Sequence, residues 1–128
     1  MSDEIRSHRD LHAWQKAMDL VVEVYETSGA FPEQEIYGLT SQVRRAAVSV
    51  PSNIAEGYRR CSRLEYLRFL RIAFGSCGEL ETQLDLCLDM GFLSQSDHTQ
   101  LSALQSDVSK MLNGLIRSIG KWGEGGRG

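Results

Sequence analysis

The chain has 128 residues, enough for one domain that buries about two thirds of its unfolded surface without a disulfide or metal staple. Two prolines, 8% aromatic residues and helical periodicities throughout argue for an all-helical protein, and a net charge of −3 argues against an indiscriminate polyanion binder. Three cysteines in unrelated settings make no disulfide framework. With no leader-like apolar stretch in MSDEIRSHRD and no run long enough to cross a membrane, a cytoplasmic location without membrane contact is expected.

In chain order, Asp10 reads as the N-cap of a first helix that runs to about Ser28, with Leu11, Trp14, Met18, Val21, Val22 and Tyr25 turned inward and Gly29 ending it. A loop through Pro32 follows, with Phe31 and Tyr37 expected to fold back over the bundle end. The second helix carries Leu39, Val43, Ala46, Ala47, Val50, Ile54 and Tyr58 on one face and Arg45, Ser49, Ser52, Glu56 and Arg60 on the other. Pro51 lies inside it and removes the amide that would bond the Ala47 carbonyl, at roughly 3 kcal/mol. A kink between Ala47 and Pro51 is therefore expected, with Ser49, Ser52 and Asn53 reaching the freed backbone groups.

Ser62 and Glu65 read as a capping box for a third helix that reaches Met90, about 28 residues or ~42 Å. Its core face holds Tyr66, Leu70, Ala73, Cys77, Leu80, Leu84, Cys87 and Leu88, whereas Cys61 falls in the preceding turn. Leu64, Leu67 and Phe74 form a second apolar strip beside the small residues Gly75, Ser76 and Gly78, read as a subunit contact with a wide core face as the alternative. Gly91 stops this helix, and Ser94 with Asp97 caps a fourth. Leu101, Leu104, Val108, Met111, Leu112, Leu115 and Ile119 carry that helix to about Lys121. The fold expected is all-α: an antiparallel up-down four-helix bundle over residues 1–121, with a disordered glycine-rich tail over 122–128.

Charge is unevenly spread along the chain. Residues 44–71 hold seven basic and two acidic groups and residues 110–128 four and one, while residues 1–43 hold three and eight and residues 72–109 none and six. Arg44, Arg59, Arg60, Arg63, Arg68 and Arg71 are the candidates for gripping nucleic-acid phosphates, because planar guanidinium groups do so bidentately. Arg45, Ser49, Ser52, Asn53 and Glu56, with Leu64, Leu67 and Phe74, are the candidates for contact between copies. Glu56 and Arg60 also stand at pairing distance along the helix, and a solvated face reads equally well there.

Several linked motifs resemble one family. Asp10-Leu11-x-x-Trp14-x-Lys16-Ala17-Met18, Phe31-Pro32, Glu35-x-Tyr37-Gly38-Leu39, Gln42-x-Arg44-Arg45-Ala46 and Val50-Pro51-Ser52-Asn53-Ile54-Ala55-Glu56-Gly57 stand in its order. Glu65-Tyr66-x-Arg68-Phe69-Leu70-x-Ile72-Ala73, Gly75-Ser76 and Glu79-Leu80-Glu81-Thr82 continue it. Over about residues 10–120 the chain is similar to the four-helix-bundle proteins encoded in intervening sequences of 23S ribosomal RNA genes. The resemblance implies a bacterial homopentamer with no recognised catalytic activity. A more distant likeness, to the accessory protein of diversity-generating retroelements, implies binding of nucleic acid and of a protein partner such as a reverse transcriptase.

Catalytic wording is missing. His8, His12 and His98 lack the glutamate three positions earlier that di-metal bundles use, and there is no Cys-x-x-Cys, His-Glu-x-x-His, phosphate-binding glycine loop or Gly-x-Ser-x-Gly. No catalytic residue, metal or cofactor is expected. Two classes of function remain: a binder of structured RNA or DNA, and a structural adaptor whose arginines serve assembly or a protein partner.

Overall fold

Short polar side chains set most of the helix starts. In the computed structural model, which describes residues 4–125 and the side chains of 4–121, Ser7 opens a 3-10 turn over His8–Asp10. Asp10 does not cap the first helix as expected. Its carboxylate reaches back to accept the amides of Arg6 at 2.8 Å and Ser7 at 3.2 Å, and α1 (His12–Ser28) starts after Leu11 with no side-chain cap. Glu35, at the end of a second 3-10 turn (Glu33–Glu35), accepts the Leu39 amide at 3.1 Å and starts α2 (Leu39–Tyr58).

Ser62 accepts the Glu65 amide at 3.2 Å to start α3 (Arg63–Asp89), and Ser94 accepts the Asp97 amide at 3.1 Å to start α4 (Gln95–Gly125). Gly91, at φ +81°, takes the left-handed conformation that ends α3, and the Phe92 amide then reaches the Cys87 carbonyl at 2.9 Å. The fourth helix passes the expected end at Lys121 and includes residues 122–125; extending an established helix costs little. Residues 126–128 of the expected disordered tail lie outside the described residues.

Contacts between neighbours run in opposite directions. Arg44 reaches Ser28, Ser49 meets Ser76, Gly57 abuts Tyr66 and Phe69, and Asp85 meets His98. With α1 also packed on α4, the four helices close into an antiparallel up-down bundle, and the described residues contain no strand. Pro51 lies inside α2 without dividing it, so the kink expected there interrupts no helix. Its ring is buried, and Asn53 Nδ2 donates to the Ser49 carbonyl at 2.8 Å beside it.

The core follows the expected face of α3: Leu70, Ala73, Cys77, Leu80, Leu84 and Cys87 are all buried. Fully burying a leucine or isoleucine side chain contributes about 1.5–3 kcal/mol, and Leu20, Ile54, Leu70, Leu80, Leu84 and Leu112 are all in that state. The inward face of α1 differs from expectation. Ala13, Ala17, Leu20 and Val24 are buried with Leu11, Trp14 and Val21 pack against the edge of the core, and Met18, Val22 and Tyr25 are exposed. Phe31 folds in and packs against Phe92, with ring centroids 6.0 Å apart, but Tyr37 stands in solvent at 94% exposure instead of covering the bundle end. Met111 is likewise more exposed than its place in the periodic pattern implies.

Gly57 is where α2 and α3 come closest. A Cβ there would lie 2.8 Å from Phe69 Cβ and 3.2 Å from the Tyr66 carbonyl, so Gly57→Ala should cost about 1–3 kcal/mol in chemical denaturation. Gly78→Ala, with open space around the position, should instead stabilise by about 0.5–1 kcal/mol. Burial pushes the Cys77 thiol up and the Cys87 thiol up to about 11, while Cys61 is exposed. A thiol reagent at neutral pH should accordingly label one cysteine in the native protein and three in denaturant.

Candidate nucleic-acid interface

Up-down alternation decides which charges meet. The start of α1, the end of α2, the start of α3 and the last turns of α4 share one end of the bundle, so the two basic stretches of sequence come together there. Among described residues, the half built from 4–20, 49–75 and 109–121 holds eleven lysines and arginines against five carboxylates. The opposite half holds ten carboxylates against Arg44 and Arg45. The protein is electrically two-ended.

At the basic end the arginines fall into two groups. Arg60 pairs with Glu56 at 2.8 Å and Arg68 with Glu65 at 3.4 Å, and both guanidinium groups lie over the Phe69 ring, at 4.8 and 4.6 Å from its centroid. These side chains are held in place. Arg59, Arg63 and Arg71 are exposed and have no ion pair among the described residues. Arg63 is the first residue of α3, where the helix dipole disfavours a cation by about 0.3–1 kcal/mol, so helix stability does not explain it.

Arg44 stands apart from the other five candidates. It lies near the acidic end, where Nε donates to Ser28 Oγ at 2.8 Å and the guanidinium covers the Tyr25 ring at 4.6 Å. A cation beside the last carbonyls of α1 stabilises that helix end.

The residues expected at contacts between copies divide as well. Arg45, Ser52, Glu56, Leu64 and Phe74 are exposed, with Leu64 at 68% and Phe74 at 42%. Ser49 and Asn53 are half-buried in a hydrogen-bonded group with Ser76, at 2.8 Å between the two serine hydroxyls and 3.0 Å from Asn53 Nδ2 to Ser49 Oγ. Leu67 corrects the reading: at 3% exposure it is buried within its own chain and cannot belong to an outer strip. Its place on α3, between the core face and the outer face, is covered once the other helices pack.

Sequence reasoning left out several basic groups that the fold adds to this end: Arg9, Lys16, Arg117 and Lys121. Alternation of four antiparallel helices was the signal for them. His8 also sits here, with its ring edge-on to Trp14 at 5.3 Å between centroids. Loss of solvent and then the nearby cations Arg9 and Arg59 hold its pKa below the ordinary 6.5. Among the described residues no group of three or more His, Cys, Asp or Glu is arranged to hold a metal ion, and no helix is long and apolar enough to cross a membrane.

Since the folded chain binds the His8 proton less readily than the unfolded chain, stability from this group is present above pH 6.5 and declines as pH falls below it. The urea midpoint of His8→Gln should therefore gain on that of the parent protein between about pH 7.5 and 5.5. Arg59→Gln removes a neighbouring cation, and NMR titration of the His8 imidazole should then move upward.

No curated protein matches this chain. A crystal structure of a protein of unknown function from the S23 ribosomal protein family of Bacteroides thetaiotaomicron superposes with a TM-score of 0.74 at 21% identity. That match covers 81% of this chain and 97% of the other, and at this identity it speaks for a shared fold. Residues 9–114 match the family model of the 23S rRNA-intervening sequence protein, so the chain belongs to that family.

Proposed function

We propose that this protein is a non-catalytic, self-associating bundle, pentameric as its resemblance implies, that binds structured RNA or DNA in the cytoplasm through its basic end. One observation carries the reading: up-down topology gathers eleven cationic side chains from α1, α3, α4, the turn between α2 and α3 and the N-terminal segment onto one end, with Arg59, Arg63 and Arg71 unpaired among the described residues. Guanidinium groups held on Phe69 by Glu56 and Glu65 lose little freedom on meeting a phosphate, and copies in a ring multiply a weak patch.

A second reading is favoured by the ion pairs themselves. Arg60 and Arg68 already have carboxylate partners, as expected of a structural adaptor whose charges serve assembly or a protein partner such as a reverse transcriptase. Under that reading Arg45→Ala or Glu56→Ala dissociates the oligomer in light scattering and nucleic acid never binds.

Filter binding of ribosomal RNA fragments across a salt series separates the two. Under the first reading log K falls linearly with log salt, and each arginine removed from Arg59 and Arg63 lowers the slope by about one. Absence of binding at low salt removes that reading.

A further inference from the structure

A cleft lies away from the basic end, between α1, the loop before α2, the outer face of α2 and Glu79 of α3, with a volume of about 910 Å3. Two tyrosines line it: Tyr37, at 94% exposure, and Tyr25, at 44%. The Arg44 guanidinium is fixed over Tyr25 by its bond to Ser28, and Arg45 on the same wall has no ion pair among the described residues. Thr40, at 3% exposure, also lines the cleft, and its hydroxyl is buried with no hydrogen-bond partner. Leaving such a hydroxyl unpaired is costly unless something else supplies the bond.

We propose that this cleft takes one unpaired nucleotide. Bases stack on aromatic rings whatever their sequence, and exposed Tyr37 offers a ring face with nothing packed on it. A flat heteroaromatic group suits tyrosine and a guanidinium better than an aliphatic side chain does, and Arg45 provides a cation for the phosphate beside it. Gln42 supplies a hydrogen-bonding group for a base edge, and the buried Thr40 hydroxyl joins it only if the wall shifts, in a cleft within the size range of small-molecule sites. Because Arg45 and Arg59 are separated by about 21 Å of α2, the cleft is a different site from the basic end.

The test uses the full chain and three probes: adenosine 5′-monophosphate, a single-stranded trinucleotide and ribose 5-phosphate. Calorimetric titration should show binding of the first two and none of the base-free sugar phosphate. If the monophosphate binds as tightly as the trinucleotide, the natural ligand is a free nucleotide; if the trinucleotide binds tighter, it is an unpaired stretch of a strand. Tyr37→Ala, which removes an exposed ring and so leaves the fold intact, should weaken either by about ten- to a hundredfold, and Arg45→Gln should weaken both by less. Unchanged affinity in Tyr37→Ala, equal binding of ribose 5-phosphate, or a changed particle mass in the variant would each overturn the site; a changed mass would make Tyr37 a contact between copies. Replacing Arg59 and Arg63 by glutamine should leave these titrations unchanged, so failure here and failure of the basic-end reading can be told apart.

Discussion

At Gly57 the backbone of α2 lies so near α3 that no side chain fits between them, and the charge layout of the molecule depends on that contact. Only residues 59–62 join the two helices, so the chain must reverse at once, and the close approach fixes the pair as an antiparallel hairpin. Tyr58 and Tyr66 pack edge to face beside it, with ring centroids 6.0 Å apart, and desolvation together with Tyr58 pushes the Tyr66 hydroxyl up to about 12. The turn that brings two apolar faces together also concentrates Arg59, Arg60 and Arg63 at its tip.

Such a concentration has no stabilising purpose that packing can supply. The ion pairs Glu56–Arg60 and Glu65–Arg68 are exposed by half on most of their side chains, and pairs of this kind contribute about 0–1 kcal/mol. Arg63 opposes the dipole of its own helix. Phe69 is the exception, because a half-buried ring under two guanidinium groups favours their extended positions whether or not a ligand is present.

Much of this was legible in the sequence where one face of a helix carries all the large apolar residues. On α3 the spacing of Leu70, Cys77, Leu80, Leu84 and Cys87 leaves one solution, and the caps at Ser62 and Ser94 follow from side-chain chemistry within three residues. On α1 the same reasoning set the face too far to one side: Leu11 is buried and Trp14 and Val21 edge the core, but the buried positions include Ala13 and Ala17, and the bulkier Met18, Val22 and Tyr25 lie outside. Small residues let helices approach closely, and a periodicity weighted by size misses them. Asp10 was misread because a carboxylate near a helix start serves whichever amides are nearer, here those behind it. The arginine candidates were found as residues but not as a group: Arg44 falls at the far end, and Arg117 and Lys121 join only once four helices alternate.

Two-ended charge also restricts how copies can associate if the basic end is to serve a ligand. In an isologous pair with its two-fold axis perpendicular to the bundle, each basic end lies beside the partner's acidic end, and the two fields cancel over about a Debye length, roughly 10 Å. In a cyclic arrangement with its axis along the bundle, every basic end falls on one rim and every acidic end on the other. Like charges on a rim repel, so apolar contact on the sides must offset that cost, and exposed apolar side chains such as Met18 and Val22 on the outer face of α1 are available for it. In such a ring, side-to-side apolar contact would oppose the repulsion that end-on charge creates, and a polyanion on the basic rim would lower that repulsion.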